Sequence, residues 1–306
     1  MESYYQPVLA ETQSQKSPIP SVTKVAIQGV EGAFHEIAAR YFHTEGGIEI
    51  VPADTFDILF NKVLTGEANA AVMAIENTIA GSILRNYNLL NNSKLRIKGE
   101  VFLRIKQNLM VLPGTKMEDL EEVHSHPIAL QQVEDFFGQY PHIKLIEAHD
   151  TALVAKEIRT KGLTKIGAIG SVLAAEIYNM DILAASIETY KKNYTRFLYI
   201  SPDDIVPNTP HGESGIMPTF DKVSMVFNTS HTVGSLHKAL EVLSRNNCNL
   251  TKIQSAPIMD KPWEYMFYVD FTLNNYSNYP QAMVELLRVV GEVKVLGEYK
   301  SGEYHE

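Results

Sequence analysis

Asn193-Tyr194-Thr195-Arg196-Phe197 sets a hydroxyl beside a guanidinium where an apolar run, Leu198-Tyr199-Ile200, begins. The pair offers one neutral proton donor and one fixed positive charge, which suits chemistry on a small carboxylate that must lose a hydroxyl. Alone, it is equally a strand start with an ion pair behind it. Two upstream segments add complementary groups. Glu76-Asn77-Thr78-Ile79-Ala80-Gly81-Ser82 ends a buried run from Ala70 to Ile75 in a carboxylate and an amide. Ser125-His126-Pro127-Ile128-Ala129-Leu130-Gln131-Gln132 places a hydroxyl, an imidazole and amides around a helix that opens at proline. Asn77 and Gln132 can bind oxygens without titrating. Ser125 and Gln132, across a strand-to-helix turn, can stand on one side of the helix start. Glu76 repels an anionic substrate unless protonated or turned toward a cation such as Arg196, so it reads as an organiser. His126 reads as hydrogen-bonded structure at a helix start.

Each segment needs a scaffold. Lys24 to Gln28 is a short apolar strand, and Gly29-Val30-Glu31-Gly32 turns into a helix with Phe34, Ile37, Ala38, Tyr41 and Phe42 at helical spacing. Helix N-termini expose unpaired amides, so the turn at Gly29 and Gly32 is a place for a carboxylate, or simply a tight turn. A strand Glu49 to Pro52, a helix through Phe56, Leu59, Phe60 and Val63 that ends at Gly66, and the strand Ala70 to Ile75 follow. From about Glu100 the pattern restarts. It runs Phe102 to Leu112, Val123 to Ser125, a helix after Pro127 with Leu130, Val133 and Phe137 inward, a strand Lys144 to Ala148, a helix Thr151 to Thr160, and a strand Ile166 to Ile169. Gly170-Ser171 opens another helix. Strands alternating with helices give a parallel or mixed sheet with ligands at the carboxyl ends of strands. Two α/β lobes with a cleft between them account for this order, and the Thr195 strand is expected to cross back to the first. Arg196 then either clamps a substrate carboxylate or ties the lobes together.

Residues 201–221 hold four prolines and two glycines and read as a linker. Beyond it, Val223, Met225 and Phe227 alternate as a strand; Leu236, Ala239, Leu240 and Leu243 mark a helix; Asn249 to Pro257 and Tyr265 to Leu273 are strands; Ala282 to Val290 is helical; Val293 and Val295 alternate again. That order is βαββαβ, the ferredoxin-like motif. The chain of 306 residues is 45% hydrophobic with a formal charge of −9. It can bury a sizeable core in two or more domains, and it lacks the basic footprint of a nucleic-acid binder. Cys248 is the sole cysteine, so no intrachain disulfide or multi-cysteine metal site exists, which favours a cytoplasmic protein. The polar first residues read as a disordered lead at 1–22 rather than a signal peptide, and no run approaches a membrane span.

The three ordered segments resemble prephenate dehydratase, whose pattern runs Glu-Asn-Ser-x-x-Gly, Ser-His-Pro-x-x-x-x-Gln and Thr-Arg-Phe. Val233-Gly234-Ser235-Leu236 with Asn249-Leu250-Thr251-Lys252-Ile253-Gln254-Ser255-Ala256-Pro257 looks like the ACT regulatory domain that follows it. The resemblance implies an α/β fold with a two-lobed, type II periplasmic-binding-protein-like catalytic domain at 23–201. Lobe 1 is expected at about 23–99 and 188–201, lobe 2 at about 100–187, a linker at 202–221 and an ACT domain at 222–301. It implies decarboxylative dehydration of prephenate to phenylpyruvate without metal or redox cofactor. Thr195 is then the proton donor, with Ser125, Gln132, Asn77 and Glu76 in the catalytic set and Arg196, Phe197, Gly29, Gly32, Gly170 and Ser171 at the substrate. Phenylalanine would bind at Gly234, Ser235, Leu236, Asn249, Leu250, Gln254 and Ser255 of a homodimer or homotetramer. No nucleic-acid or membrane partner is expected. The chain departs from the family at His35, where relatives carry Ser or Thr, and at Val30, Thr78, Ser235, Gln254 and Ala256. Two other readings stand beside this one: an arogenate dehydratase that yields phenylalanine directly, and a non-catalytic two-lobed binding protein.

Overall fold

The computed structural model describes residues 22–44, 47–203, 220–258, 261 and 264–306. The expected lead, up to residue 21, and most of the expected linker lie outside the described residues.

The first lobe is built from β1 (Val22–Gln28), α1 (Phe34–Tyr41), β2 (Gly47–Ala53), α2 (Phe56–Leu64), β3 (Ala70–Asn77), β4 (Gly81–Ser82), α3 (Leu84–Asn92) and β5 (Arg96–Arg104). The second holds β6 (Asn108–Val111), β7 (Glu122–Ser125), α4 (Pro127–Gln131), α5 (Glu134–Phe137), β8 (Lys144–Glu147), α6 (Thr151–Lys161), β9 (Ile166–Gly170), α7 (Val172–Ile177) and β10 (Asp181–Ala184). The chain then returns as β11 (Tyr194–Ser201), which lies antiparallel between β3 and β5 of the first lobe. Lobe 2 has its own sheet, ordered β10-β6-β9-β7-β8. The crossing therefore comes after Arg104 rather than at residue 99. The apolar stretch from Phe102 to Leu112 is not one strand, because it divides between the two lobes.

Central strands with both faces covered read as unbroken apolar runs. β3 is such a strand, buried from Ala70 to Ile75. Its last two residues, Glu76 and Asn77, emerge half-buried at the carboxyl end, where α/β sheets hold ligands. Thr55 caps α2 by accepting the Ile58 amide at 3.3 Å, and Asp150 caps α6 by accepting that of Leu153 at 2.7 Å. Gly162, at φ +67°, ends α6 in the left-handed conformation.

The C-terminal part follows βαββαβ order: β12 (Lys222–Asn228), α8 (Ser235–Arg245), β13 (Cys248–Pro257), β14 (Tyr265–Leu273), α9 (Tyr279–Val289) and β15 (Glu292–Tyr299). This is the expected ferredoxin-like unit, but it is not a separate bead. One parallel bridge, Gly297 to Ile97, runs its sheet into that of lobe 1, in the order β13-β14-β12-β15-β5-β11-β3-β1-β2. A short β16 (Tyr304–His305) then pairs with β5. Side chains on β13 and β14 nevertheless touch β3 and β11, which lie far along that order. The sheet must therefore curl so that its two parts face one another. Met73, Ile75, Leu198 and Ile200 of lobe 1 share one apolar core with Val226, Tyr268 and Leu296 of the C-terminal unit.

Candidate active site

A cavity of about 510 Å³ opens between the two lobes. Thr195, Asn77, Phe197 and the β4 turn line it from lobe 1; Gln132, His126, His149, Asp150 and Thr151 line it from lobe 2. Side chains alternate along a strand, so Thr195 and Phe197 reach the cavity while Arg196 points to the other side of the sheet. Asn77 faces the cavity for the same reason, and Glu76 does not line it.

Thr195 and Asn77 sit directly opposite each other in the β11–β3 pairing. Asn77 Nδ2 donates to Thr195 Oγ1 at 2.9 Å and to Asn193 Oδ1 at 2.8 Å. Asn77 Oδ1 accepts the amides of Ile79 and Ala80, both at 2.9 Å, which folds the chain into a turn closed by Gly81 at φ +81°. The Asn and the Gly of this segment are thus explained by local geometry. The network continues across the cleft. Gln132 Oε1 accepts from Asn193 Nδ2 at 2.9 Å and from Gln107 Nε2 at 3.0 Å. The buried Glu188 carboxylate accepts the backbone amide of Gln107. Two donations leave the Gln132 oxygen occupied, so its amide nitrogen is the group free to serve the cavity. Thr195 Oγ1 already accepts from Asn77, so its own proton is the one left to give.

The cavity is electrostatically sparse. Among the described residues no Lys or Arg lines it, and Asp150 is its one acidic side chain. Burial raises the Asp150 carboxyl, against the amides of Leu153 and Ala152. Burial pushes His35 down to about 4 and lowers His126, the latter opposed by Asp150 and Glu147. Both imidazoles are therefore neutral at pH 7. His126 Nδ1 accepts the Ile128 amide at 3.3 Å and caps α4 while bordering the cavity.

Several expected positions fall elsewhere. Arg196 is 5% exposed and does not line the cleft between the lobes; it borders a separate cavity of about 340 Å³ with Glu76, Lys222 and Lys252. Its Nε binds Glu100 at 2.6 Å, its Nη1 binds Asp270, and its Nη2 donates to the Tyr299 hydroxyl at 3.0 Å. It ties lobe 1 to the C-terminal unit rather than to lobe 2 or a substrate. Glu76 pairs with Lys252 at 2.9 Å, not with Arg196. Ser125 is fully buried, donates to the Ile169 carbonyl at 2.9 Å and does not line the cavity that Gln132 borders. Gly29 and Gly32 cradle no ligand space, since Gly29 abuts the Asp150 carboxylate and Gly32 abuts the Ala174 backbone of lobe 2. Ser171 caps α7 and donates to the Gly32 carbonyl at 2.5 Å, while Gly170 packs on Met110. Gly29, Gly32 and Ser171 thus lock the lobes together, and Gly170 packs within lobe 2. Phe197 both packs in the core and borders the cavity, edge-on to His35 at 5.0 Å.

In the C-terminal unit Ser235 and Leu236 line a separate cleft of about 350 Å³, with Gly234 at φ +81° capping α8 beside it. Asn249, Leu250, Gln254 and Ser255 lie on β13, an edge strand of the sheet, and do not line that cleft.

Two α/β lobes crossed twice by the chain, with a hydroxyl and amides converging in the cleft, define a periplasmic-binding-protein-like fold adapted for chemistry on a small polar molecule. The model of the family "Prephenate dehydratase" matches residues 25–205, and the chain belongs to that family. It is 38% identical over 294 residues to "Arogenate dehydratase 2" of Petunia hybrida, covering 91% of this chain and 72% of that one. It is 34% identical over 286 residues to the "Bifunctional chorismate mutase/prephenate dehydratase" of Escherichia coli, covering 92% and 72%. Among solved structures, "GqqA- a novel type of quorum quenching acylases" superposes with a TM-score of 0.78 at 27% identity, covering 91% of this chain and 98% of that one. No described helix is long and apolar enough to cross a membrane.

Proposed function

We propose that the chain converts prephenate to phenylpyruvate, carbon dioxide and water. The observation that carries this reading is the direction of the Asn77–Thr195 hydrogen bond, which reserves the threonine proton for the cavity. The ring carboxylate leaves as carbon dioxide. The electron pair of the broken carbon–carbon bond moves through the cyclohexadiene and expels the opposite hydroxyl, which takes the Thr195 proton and departs as water. Asn77 Nδ2 remains on Oγ1 as charge develops there. Solvent then restores the threonine proton, so the dianion consumes one proton overall. Aromatisation drives the reaction, and the protein supplies orientation, dryness and a placed donor. The free amide of Gln132 and the first turn of α1 supply neutral donors for the carboxylates.

A second reading has its own observation. Arogenate carries an ammonium where prephenate carries a keto group, and Asp150 is an acid in a cavity that no Lys or Arg lines among the described residues. The Petunia relative bears the name of that activity. Turnover of each acid, followed by phenylpyruvate and phenylalanine formation, decides between them. Thr195→Ala should slow formation of either product by roughly 10²- to 10⁴-fold. An acyl amide hydrolysed while both acids remain unconsumed would overturn the reading and align the chain with the acylase.

The C-terminal unit is read as an ACT-type regulatory domain that senses phenylalanine, with two copies pairing along β13. Leu250 and Ile253 are exposed on that edge strand, and pairing would bring Asn249, Leu250, Gln254 and Ser255 of one copy toward the Ser235 cleft of the other. Titration calorimetry on the intact chain should show phenylalanine binding that weakens prephenate binding by the same factor in both directions. Heat absent and activity unmoved by phenylalanine would leave the unit purely structural.

A further inference from the structure

The Asn77–Thr195 hydrogen bond lies at the weakest place in its ladder. Asn77 is the last residue of β3, Tyr194 the first of β11, and the register shifts between Arg196 and Phe197. That irregularity separates the pairs Glu76/Arg196 and Asn77/Thr195 from the regular ladder beyond it. Strand ends open more readily than strand centres, so something else must hold this pair in place.

The opposite face supplies it. Glu76 and Arg196 are cross-strand partners, one step from the catalytic pair and pointing the other way. Glu76 receives Lys252 at 2.9 Å, and Arg196 receives Asp270. Lys252 and Asp270 are themselves cross-strand partners in the C-terminal sheet, brought opposite each other because β13 shifts register between Leu250 and Lys252. Such bulges re-aim side chains. Two charged rungs, acid beside base and base beside acid, thus meet face to face. Lys252 Nζ also donates to Ser82 Oγ at 2.8 Å, across β4 from Glu76, so it grips both sides of the Asn77 turn.

From this geometry we infer that Lys252 and Asp270 are positioning residues: through Glu76 and Arg196 they hold Asn77 against Thr195 from behind. The inference rests on the reading of Thr195 as proton donor. The bond has little slack, because lengthening 2.9 Å by under 1 Å breaks it. The C-terminal unit therefore acts on the rate of the chemical step through residues that never touch substrate.

Lys252→Met is the test, since Glu76 is 36% exposed and can be hydrated when unpaired. The variant should lose roughly 3- to 30-fold in kcat, the range of couplings carried through packed networks, with KM nearly unchanged. Lys252→Arg should restore most of the loss. In an Asn77→Ala background the same substitution should cost nothing further, because the bond it supports is already gone. Asp270→Asn should follow the same pattern. Wild-type kcat in Lys252→Met, or a loss that adds fully to that of Asn77→Ala, overturns the inference. A wild-type chain that consumes neither acid sinks the functional reading instead, and hydrogen exchange then decides this one. Uptake at residues 76–83 should rise in Lys252→Met while residues 22–28 stay unchanged, and equal uptake in both proteins overturns it.

Discussion

A threonine hydroxyl is a poor acid in water, and what the fold adds at Thr195 is a fixed direction for its one proton. Thr195→Ala should cut kcat by roughly 10²- to 10⁴-fold, the usual cost of a lost positioned donor, while Thr195→Ser keeps much of it. Equal losses in both, with circular dichroism unchanged, would remove the assignment. With His35 held near 4 and His126 also depressed, kcat should be flat from about pH 6 to 8, the window in which an ordinary imidazole titrates. A limb there that vanishes in His126→Asn would make the histidine the acid. His35 has a stability consequence of definite sign. Its neutral form is favoured when folded, so the unfolded chain binds the proton first, and stability falls as pH drops from about 6.5 toward 4. The urea midpoint should decline between pH 7 and 5, and His35→Gln, which keeps an acceptor for the Ala74 amide, should flatten the decline. Thr195, Asn77 and Gln132 were legible because they stand at strand and helix ends in recognisable segments. Gln107, His149 and Asp150 were not, because distant turns bring them together with no local pattern to mark them.

Among the elements, the contact between lobes depends on a glycine where the reason is close approach rather than cradle. Gly32 has φ +91°, and a Cβ there would meet the Ala174 Cα at 2.7 Å; Gly81 has a similar φ of +81° with nothing within 4 Å. Gly81→Ala should therefore cost only the backbone conformation, about 1–2 kcal/mol, and Gly32→Ala clearly more, with KM raised as the lobes part. Equal urea midpoints for the two variants would show that the lobes yield freely. Periodicity placed nearly every strand and helix of the C-terminal unit, since its apolar residues alternate along the strands and recur at helical spacing. It failed where an apolar run spans two environments. Phe102 to Leu112 looks continuous, yet Arg104 ends one sheet and Asn108 begins another. The helix after Pro127 likewise breaks at Gln132 and Val133, and the Gln132 carbonyl there accepts the Thr189 amide at 2.9 Å.

For the whole molecule, βαββαβ order suggested a detachable module, and the structure shows a welded one. The sequence reading set Thr195 and Arg196 together at the substrate, whereas the strand turns them to opposite faces and tertiary packing gives the far face to the C-terminal unit. A chain ending near residue 203 would expose Met73, Ile75, Leu198 and Ile200 and strip Arg196 of Asp270 and Tyr299. Breaking a buried ion pair costs about 3–5 kcal/mol by itself, a large part of a typical domain's stability. The shortened chain should lack a cooperative unfolding transition by circular dichroism, and a sharp transition would show that the catalytic lobes stand alone.

The paired rungs also set rules for grafting. A chimera that exchanges residues 220–306 for the corresponding module of a relative inherits a working catalyst only if the donor brings a base to meet Glu76 and an acid to meet Arg196. Inverting one rung calls for inverting its counterpart. Recombination between such proteins is thus constrained less by similarity near the join than by four positions remote from it, and libraries of shuffled sequences should be enriched, among active members, for matched quartets.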